Sequence, residues 1–460
     1  MKKRHLLGFI ITGVAMLVLS GCASYGVIDN APLSESTPTQ PYSIKSRLNK
    51  VGSGDIGLTL AFSGGGTRAA ALAYGVMEEL RDTTVIIDGQ PRRLLDEVDT
   101  ISSVSGGSFT SAYYGLYGER IFEDYKDEFL TRDVERKLFR GLFNPLRWFS
   151  SEGRTEMAVK LYEAEIFHGA TFADMRSEEA PLILINASDL GYGVRFSFVQ
   201  EYFDLLCSDI TSFPVARAVT ASSAVPLVFH PIVVKNYPEC KAAGKPEWML
   251  EAAKRVAGDP ELTDVLQGLE TYYEEDRRKY AHFVDGGITD NLGLRAIYEV
   301  IEMSGGAQTF YKKAGRKPPR YAAIISVNAS TEPEPEMDLS NKQPSVAETI
   351  GAMSDVQLHR YNKATLEVMH NKLGKWAEAV STPDRPVTPY FVQVSFQDVM
   401  QPEEKRFFNR IPTSFNLSEE QVDRLIEAGH ELLRNDPDYQ RLLADLGGAQ
   451  LQASVTPATH

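Results

Sequence analysis

Ser105 stands in Val98-Asp99-Thr100-Ile101-Ser102-Ser103-Val104-Ser105-Gly106-Gly107-Ser108, where an apolar, strand-like run gives way to a serine and two glycines and then to helix-compatible residues 109–116. A strand that ends on a serine followed by residues without side chains can turn sharply and raise the hydroxyl above the sheet edge as a nucleophile. The helix behind it aims free N–H groups at the reacting centre. Asp285, in His282-Phe283-Val284-Asp285-Gly286-Gly287, is the complementary group: a carboxylate at a strand end, held by a glycine turn. Such a carboxylate can take a hydroxyl proton as general base and return it to a leaving alcohol. Gly64-Gly65-Gly66-Thr67-Arg68 adds a loop whose backbone can approach an anion closely, because three successive residues lack Cβ. Acyl transfer needs N–H donors where the tetrahedral oxyanion develops, and losing one costs about 2.7–4 kcal/mol of barrier. Arg68 either adds positive charge there or holds the loop by a salt bridge. Together these residue types point to ester hydrolysis.

Each motif also has a plainer reading. Ser103 to Gly107 departs from the usual Gly-x-Ser-x-Gly pattern by placing Ser103 where a glycine is common, and Ser/Gly-rich strand-to-helix loops are ordinary. Gly64-x-Gly66-x-x-Ala69, with Asp88 closing a second strand, fits a dinucleotide-binding fingerprint. A histidine base is available in chain order, since His359 and His370 follow Asp285, but both fall in a helix opening at Ser345; His230 and His282 lie nearer the motifs. No cluster has metal-ligand spacing, so neither metal nor cofactor is expected. A protein that binds lipid in the same cleft without turning it over is the competing class.

The elements that position these groups alternate. Residues 58–62 read as a buried strand, followed by Leu72, Val76, Met77 and Leu80 at helical spacing; 83–87, 98–104, 182–186 and 322–327 are further strands. Short apolar runs of this kind are buried on both faces in parallel sheets, and their alternation with helices predicts an α/β fold with a mainly parallel central sheet. The domain expected over residues 55–330 carries a charged, helix-prone insertion at about 237–282. Glu- and Pro-rich residues 331–336 mark a surface linker, and residues 331–460 read as a mostly helical region packed on the core, with capping boxes at Ser345 and Ser418.

The chain opens with Lys2, Lys3 and Arg4, an apolar run over residues 6–19, and Leu19-Ser20-Gly21-Cys22. A basic start, a short apolar segment and a small-residue cleavage site make an export signal, here residues 1–21. Leu-Ser-Gly-Cys resembles a bacterial lipobox, which implies cleavage before Cys22, lipid on that cysteine and, with Ala23 after it, sorting to the outer membrane facing the periplasm. Export separates the chain from cytoplasmic nicotinamide pools and weighs against the dinucleotide reading. Ser/Thr/Pro-rich residues 22–54 read as a flexible tether. Removing the three cations of the signal takes the net charge from −14 to −17, which argues against nucleic acid and leaves the lipid, not electrostatics, to hold the protein at a membrane. Cys207 and Cys240 remain in a compartment that permits disulfides; a bridge would stabilise by about 3–4 kcal/mol, and two free thiols fit the sequence equally well.

The glycine loop, the serine elbow and Asp285-Gly286-Gly287 resemble, in order and context, the patatin-like phospholipases. Asn186-Ala187-Ser188-Asp189-Leu190 and residues 218–231 look like that family too, so the resemblance spans residues 58–294. It implies a three-layer α/β/α sandwich, a Ser105–Asp285 dyad without a catalytic histidine, and an oxyanion hole built from the N–H groups of Gly65, Gly66 and Thr67. The implied substrate is membrane lipid. Ser103 and Ala69 replace glycines common in the family, and both are small enough for the turns they occupy.

Overall fold

The computed structural model describes residues 25–34, 42–47, 53–132, 153–175, 180–226, 228–274, 276–332, 336–447 and 449–450. The expected signal at residues 1–21, Cys22 and part of the 331–336 linker lie outside them.

Eight strands form the central sheet: β1 Ile56–Phe62, β2 Val98–Val104, β3 Leu182–Asp189, β4 Val194–Ser197, β5 Ile232–Lys235, β6 Tyr280–Val284, β7 Tyr321–Asn328 and β8 Thr388–Ser395. The order β8-β7-β1-β2-β3 is parallel throughout, and β6, β5 and the hairpin strand β4 extend it antiparallel beyond β3. Every residue of β2 and β3 is buried, as the two-sided apolar runs require.

Helices cover both faces. Helix α1 (Gly66–Asp82) packs on α2 (Gly106–Tyr117), and α3 (Arg154–Glu165) packs on α4 (Val215–Ser222). In the insertion, α5 (Glu247–Arg255) and α6 (Pro260–Glu270) lie beside α7 (Leu294–Ser304). Helices α7, α8 (Gly306–Lys313) and the 35-residue α9 (Val346–Val380) cover the sheet face presented by Gly57 and Thr59. Because side chains alternate along a strand, Leu58, Leu60 and Phe62 point to the other layer, where α11 (Glu419–Asn435) lies along α1; α10 spans Pro402–Asn409. This is the expected α/β/α sandwich.

Three features differ from the sequence reading, and one that it left open is resolved. Residues 331–460 are mostly helical but also supply β8, so the sheet is completed from beyond the linker. The strand Thr83–Ile87 does not join the central sheet: it turns back through Asp88 and Gly89 onto Gln90–Arg93, with both turn residues at positive φ, as a tight hairpin demands. Asp88 is therefore an exposed hairpin-turn residue outside the central sheet, not the acid at the end of a neighbouring sheet strand that the dinucleotide reading needs. The tether is also shorter than residues 22–54. Strand Ala31–Pro32 pairs with Ser208–Asp209, Asn30 hydrogen-bonds Ser208 and Lys235, and Tyr42 is buried with its hydroxyl bonded to the Ile183 backbone. Cys207 and Cys240, left open by the sequence, are bonded, with Cα atoms 5.4 Å apart. The bridge ties the insertion to the turn after Asp204–Leu206.

Candidate active site

The site lies where β1, β2 and β6 end. Ser105, between β2 and α2, has φ 50° and ψ −121°, a backbone region that costs a residue with a side chain of order 1–3 kcal/mol. The neighbours enforce it. Ser222, the last residue of α4, accepts the Ser105 N–H at 2.9 Å, donates to the Asn186 carbonyl at 2.6 Å and meets the Ser108 hydroxyl at 3.0 Å. Ser103 has its own partner, the Ser111 hydroxyl at 2.6 Å, so the side chain replacing the common glycine is absorbed by α2. A Cβ on Gly106 would strike the Gly66 carbonyl, and the elbow and the glycine loop touch there, backbone to backbone. Gly107 packs against Phe62 and Ser63 in the same way.

Asp285 follows β6. Its N–H donates to the Ala224 carbonyl and that of Gly286 to the Ser222 carbonyl, so the end of α4 holds both the nucleophile turn and the aspartate turn. The Gly287 N–H donates to the Asp285 carboxylate at 2.7 Å, and Ser105 is its other hydrogen-bonding partner. Burial pushes the Asp285 pKa up to about 6, against the pull of those two hydrogen bonds. A carboxylate poised there is ionised at neutral pH yet basic enough to accept a proton.

Among the described residues no histidine bonds either group. His359 and His370 ride on α9, His282 is exposed on β6, and the His230 backbone carbonyl holds the Thr155 hydroxyl.

The glycine loop sorts its donors. Gly64 N–H is spent on the Asn291 carbonyl at 2.9 Å and Thr67 N–H on the Ser414 carbonyl at 2.9 Å. Thr67 thus leaves the expected donor set: its N–H already has a carbonyl from the chain's own C-terminal region. Gly65 and Gly66, both at positive φ, and Gly106 at the head of α2 keep N–H groups with no acceptor among the described residues. Arg68 is a clamp: its guanidinium donates to the carbonyls of Ala329 at 2.8 Å and Ile411 at 2.5 Å and to the Thr413 hydroxyl at 3.0 Å. Burial lowers its pKa to about 10, with Asp355 opposing.

Sequence reasoning did not single out Ser222, or Asn291, whose side-chain oxygen sits against Gly64 and Gly287 and whose amide donates to Ser330 at 3.2 Å. Asn186 and Asp189 are framework. The Asn186 amide group donates to Ser102 and its oxygen accepts from Arg195, itself paired with Glu299 at 2.6 Å in the core; Asp189 holds Arg278 and Tyr272 of the insertion.

A family model described as patatin-like phospholipase matches residues 60–298. Similar solved structures include human GIVD cytosolic phospholipase A2, at 13% identity and a TM-score of 0.43 over 85% of this chain and 62% of that one. The same enzyme in complex with methyl gamma-linolenyl fluorophosphonate gives 12% and 0.42, over 93% and 66%. VipD from Legionella pneumophila gives 10% and 0.31, over 93% and 71%. The chain thus spans just under two thirds of the length of the phospholipase A2 chains it resembles. No curated protein matches it.

Proposed function

Since this chain belongs to the patatin-like phospholipase family, we propose that it hydrolyses carboxylic ester bonds of phospholipids or lysophospholipids through a Ser105–Asp285 dyad. Asp285 takes the hydroxyl proton as the Ser105 oxygen attacks the ester carbonyl. The N–H groups of Gly65, Gly66 and Gly106 receive the oxyanion, and collapse of the tetrahedral adduct expels the alcohol, which leaves with the proton from Asp285. Water, deprotonated by the same carboxylate, then cleaves the acyl-enzyme and releases the fatty acid. The observation that carries this reading is the buried Asp285 carboxylate, hydrogen-bonded by Ser105 and pushed to a pKa of about 6. A neutral histidine relay is unnecessary when the carboxylate itself has a base's pKa.

Lipid on Cys22 would hold the enzyme in the bacterial envelope, at the outer membrane facing the periplasm. Cys22→Ala is expected to block acyl labelling and to leave an unprocessed or released protein; an acyl-labelled Cys22→Ala protein would remove the anchor from the proposal. For the chemistry, the test is labelling by a long-chain fluorophosphonate together with lipid profiling. Wild type is expected to label and to release fatty acid, and Ser105→Ala to do neither while remaining folded. Full turnover in Ser105→Ala would end the proposal, and an unlabelled, inactive wild type would point to a lipid-binding protein instead.

A further inference from the structure

Helix α9 is anchored at the site and then leaves the body. At Asn362 its side-chain amide donates to the Ser330 hydroxyl at 3.0 Å, the same hydroxyl that receives the Asn291 amide beside Gly64. About two turns earlier, Asp355 is close enough to act electrostatically on Arg68, the clamp of the glycine loop. From Asn362 back to Val346 the helix runs about 24 Å at 1.5 Å per residue. Over this stretch it is exposed or half-buried on every side, and it begins in solvent with a complete capping box at Ser345 and Glu348.

The projecting half carries an apolar stripe. Val346, Ile350, Met353 and Val356 are 77%, 44%, 63% and 55% exposed, and their spacing places them within one arc of the helix. The buried face of α9, marked by Asn362, Thr365, Met369 and Leu373, lies on the opposite side, roughly 150° round at about 100° per residue. The stripe therefore points away from the protein's own core, and beyond Val356 the same face turns polar at Gln357, Arg360 and Glu367. Leu339, seven residues before the helix, is 85% exposed as well. A contiguous exposed apolar surface at a site's mouth marks an interaction surface.

We infer that the N-terminal half of α9 docks on a zwitterionic phospholipid bilayer and presents the Ser105 cleft to it. The inference rests on the lipid-hydrolase reading above. Three observations select a bilayer. Ile288 and Val225, three residues beyond Asp285 and one beyond its Ala224 partner, are exposed, so the apolar surface continues onto the rim of the site. The charges of the projecting half, Glu348, Asp355 and Arg360, include no basic cluster, which fits neutral headgroups and not anionic ones. The N-terminal segment agrees: Gly26 packs on Val233 while Asn30 bonds Lys235, and in the β5–β6 register the Val233 side is the one nearer Asp285. Tyr25, 91% exposed, thus emerges at the active-site end and adds an aromatic of the interfacial type there. No helix among the described residues is long and apolar enough to cross a membrane, so α9 is a surface element.

The test uses the full chain carrying Ile350→Ser and Met353→Ser together, two exposed positions whose change leaves the core intact. Hydrolysis of phosphatidylcholine in vesicles is expected to fall at least tenfold, while hydrolysis of water-soluble p-nitrophenyl butyrate stays within twofold of wild type. An environment-sensitive dye on Met353→Cys is expected to brighten at least twofold when phosphatidylcholine vesicles are added. Unchanged vesicle hydrolysis with a silent dye overturns the inference. So does a dye that brightens with protein concentration alone, with the double variant sedimenting as a monomer where wild type is a dimer, since the stripe would then meet a second copy of this chain. A dye that responds to vesicles in a protein hydrolysing neither substrate upholds the docking surface and refutes the hydrolase reading.

Discussion

Replacing Asp285 by asparagine should make the protein more stable while silencing it. The carboxylate is 9% exposed, and burial is the first cause of its rise from 3.8 to about 6. A raised carboxylate pKa means that the folded state binds the proton more tightly than the unfolded chain, so stability falls as the pH rises past the unfolded value and the loss is complete above the folded one. Two pKa units at 1.36 kcal/mol each give a cost of about 3 kcal/mol at pH 8. The amide keeps the shape, still accepts the Gly287 N–H and still meets Ser105, but carries no charge to desolvate. Asp285→Asn should therefore gain about 3 kcal/mol at pH 8, roughly 3–4 °C in Tm for a chain of this size. Between the unfolded and folded pKa values the gain must shrink, to about half its full size at pH 5, and vanish below the unfolded value. Asp99 and Asp290, also raised to about 6 by burial, titrate alike in both proteins and cancel in the difference. Thermal scans of the two proteins at pH 8 and pH 5 measure it. A variant less stable than wild type at pH 8, or a gain that does not fall with pH, would refute the desolvation argument. In wild type, kcat/KM should rise with pH through about 6 and then level, as the base loses its proton.

The positive φ of Ser105 predicts that Ser105→Gly exceeds Ser105→Ala in stability by about 1 kcal/mol, both being inactive, because only glycine adopts that backbone freely; equal Tm values would deny the strain. Opening the 33-residue loop with Cys207→Ala and Cys240→Ala should cost about 3–4 kcal/mol in denaturant titrations, with turnover retained below the shifted midpoint. Single replacements of His230, His282, His359 and His370 should each leave measurable turnover, and one folded, silent variant would favour a histidine base. Arg68→Lys cannot reproduce the fork that reaches Ala329, Ile411 and Thr413, so it should lose about 2 kcal/mol of stability and at least tenfold in kcat; an unchanged kcat would show that the loop holds its shape without the clamp.

The strands that position the site were legible because β2 and β3 are apolar on both faces, and the elbow because two glycines follow Ser105 where backbones must touch. Strand β8 was not. Pro389 and Gln393 interrupt its apolar run, and it is a strand because β7 offers a parallel partner along its whole length, information that local pattern does not hold. Asp88-Gly89 carried a hairpin signal that the expectation of a second sheet strand overrode. Residues 25–47 have the composition of a tether, yet Asn30 and Tyr42 find partners 205 and 141 residues away. Ser222 gives no local sign either: its role exists only once Ser105, 117 residues distant, brings an N–H to it.

The C-terminal region, which reads as packing, also holds the glycine loop. The family match ends at residue 298, but the glycine loop is held from beyond it. Ser414 takes the Thr67 N–H, Ile411 and Thr413 take Arg68, and Asn362 reaches Asn291 and Gly64 through Ser330. A loop with three successive glycines has too much conformational freedom to hold its donors unaided. By engaging the N–H groups at its two ends, Gly64 and Thr67, the rest of the chain leaves Gly65 and Gly66 as the pair free to meet an oxyanion. Which of the loop's N–H groups stay free is thus set by residues up to about 350 positions away.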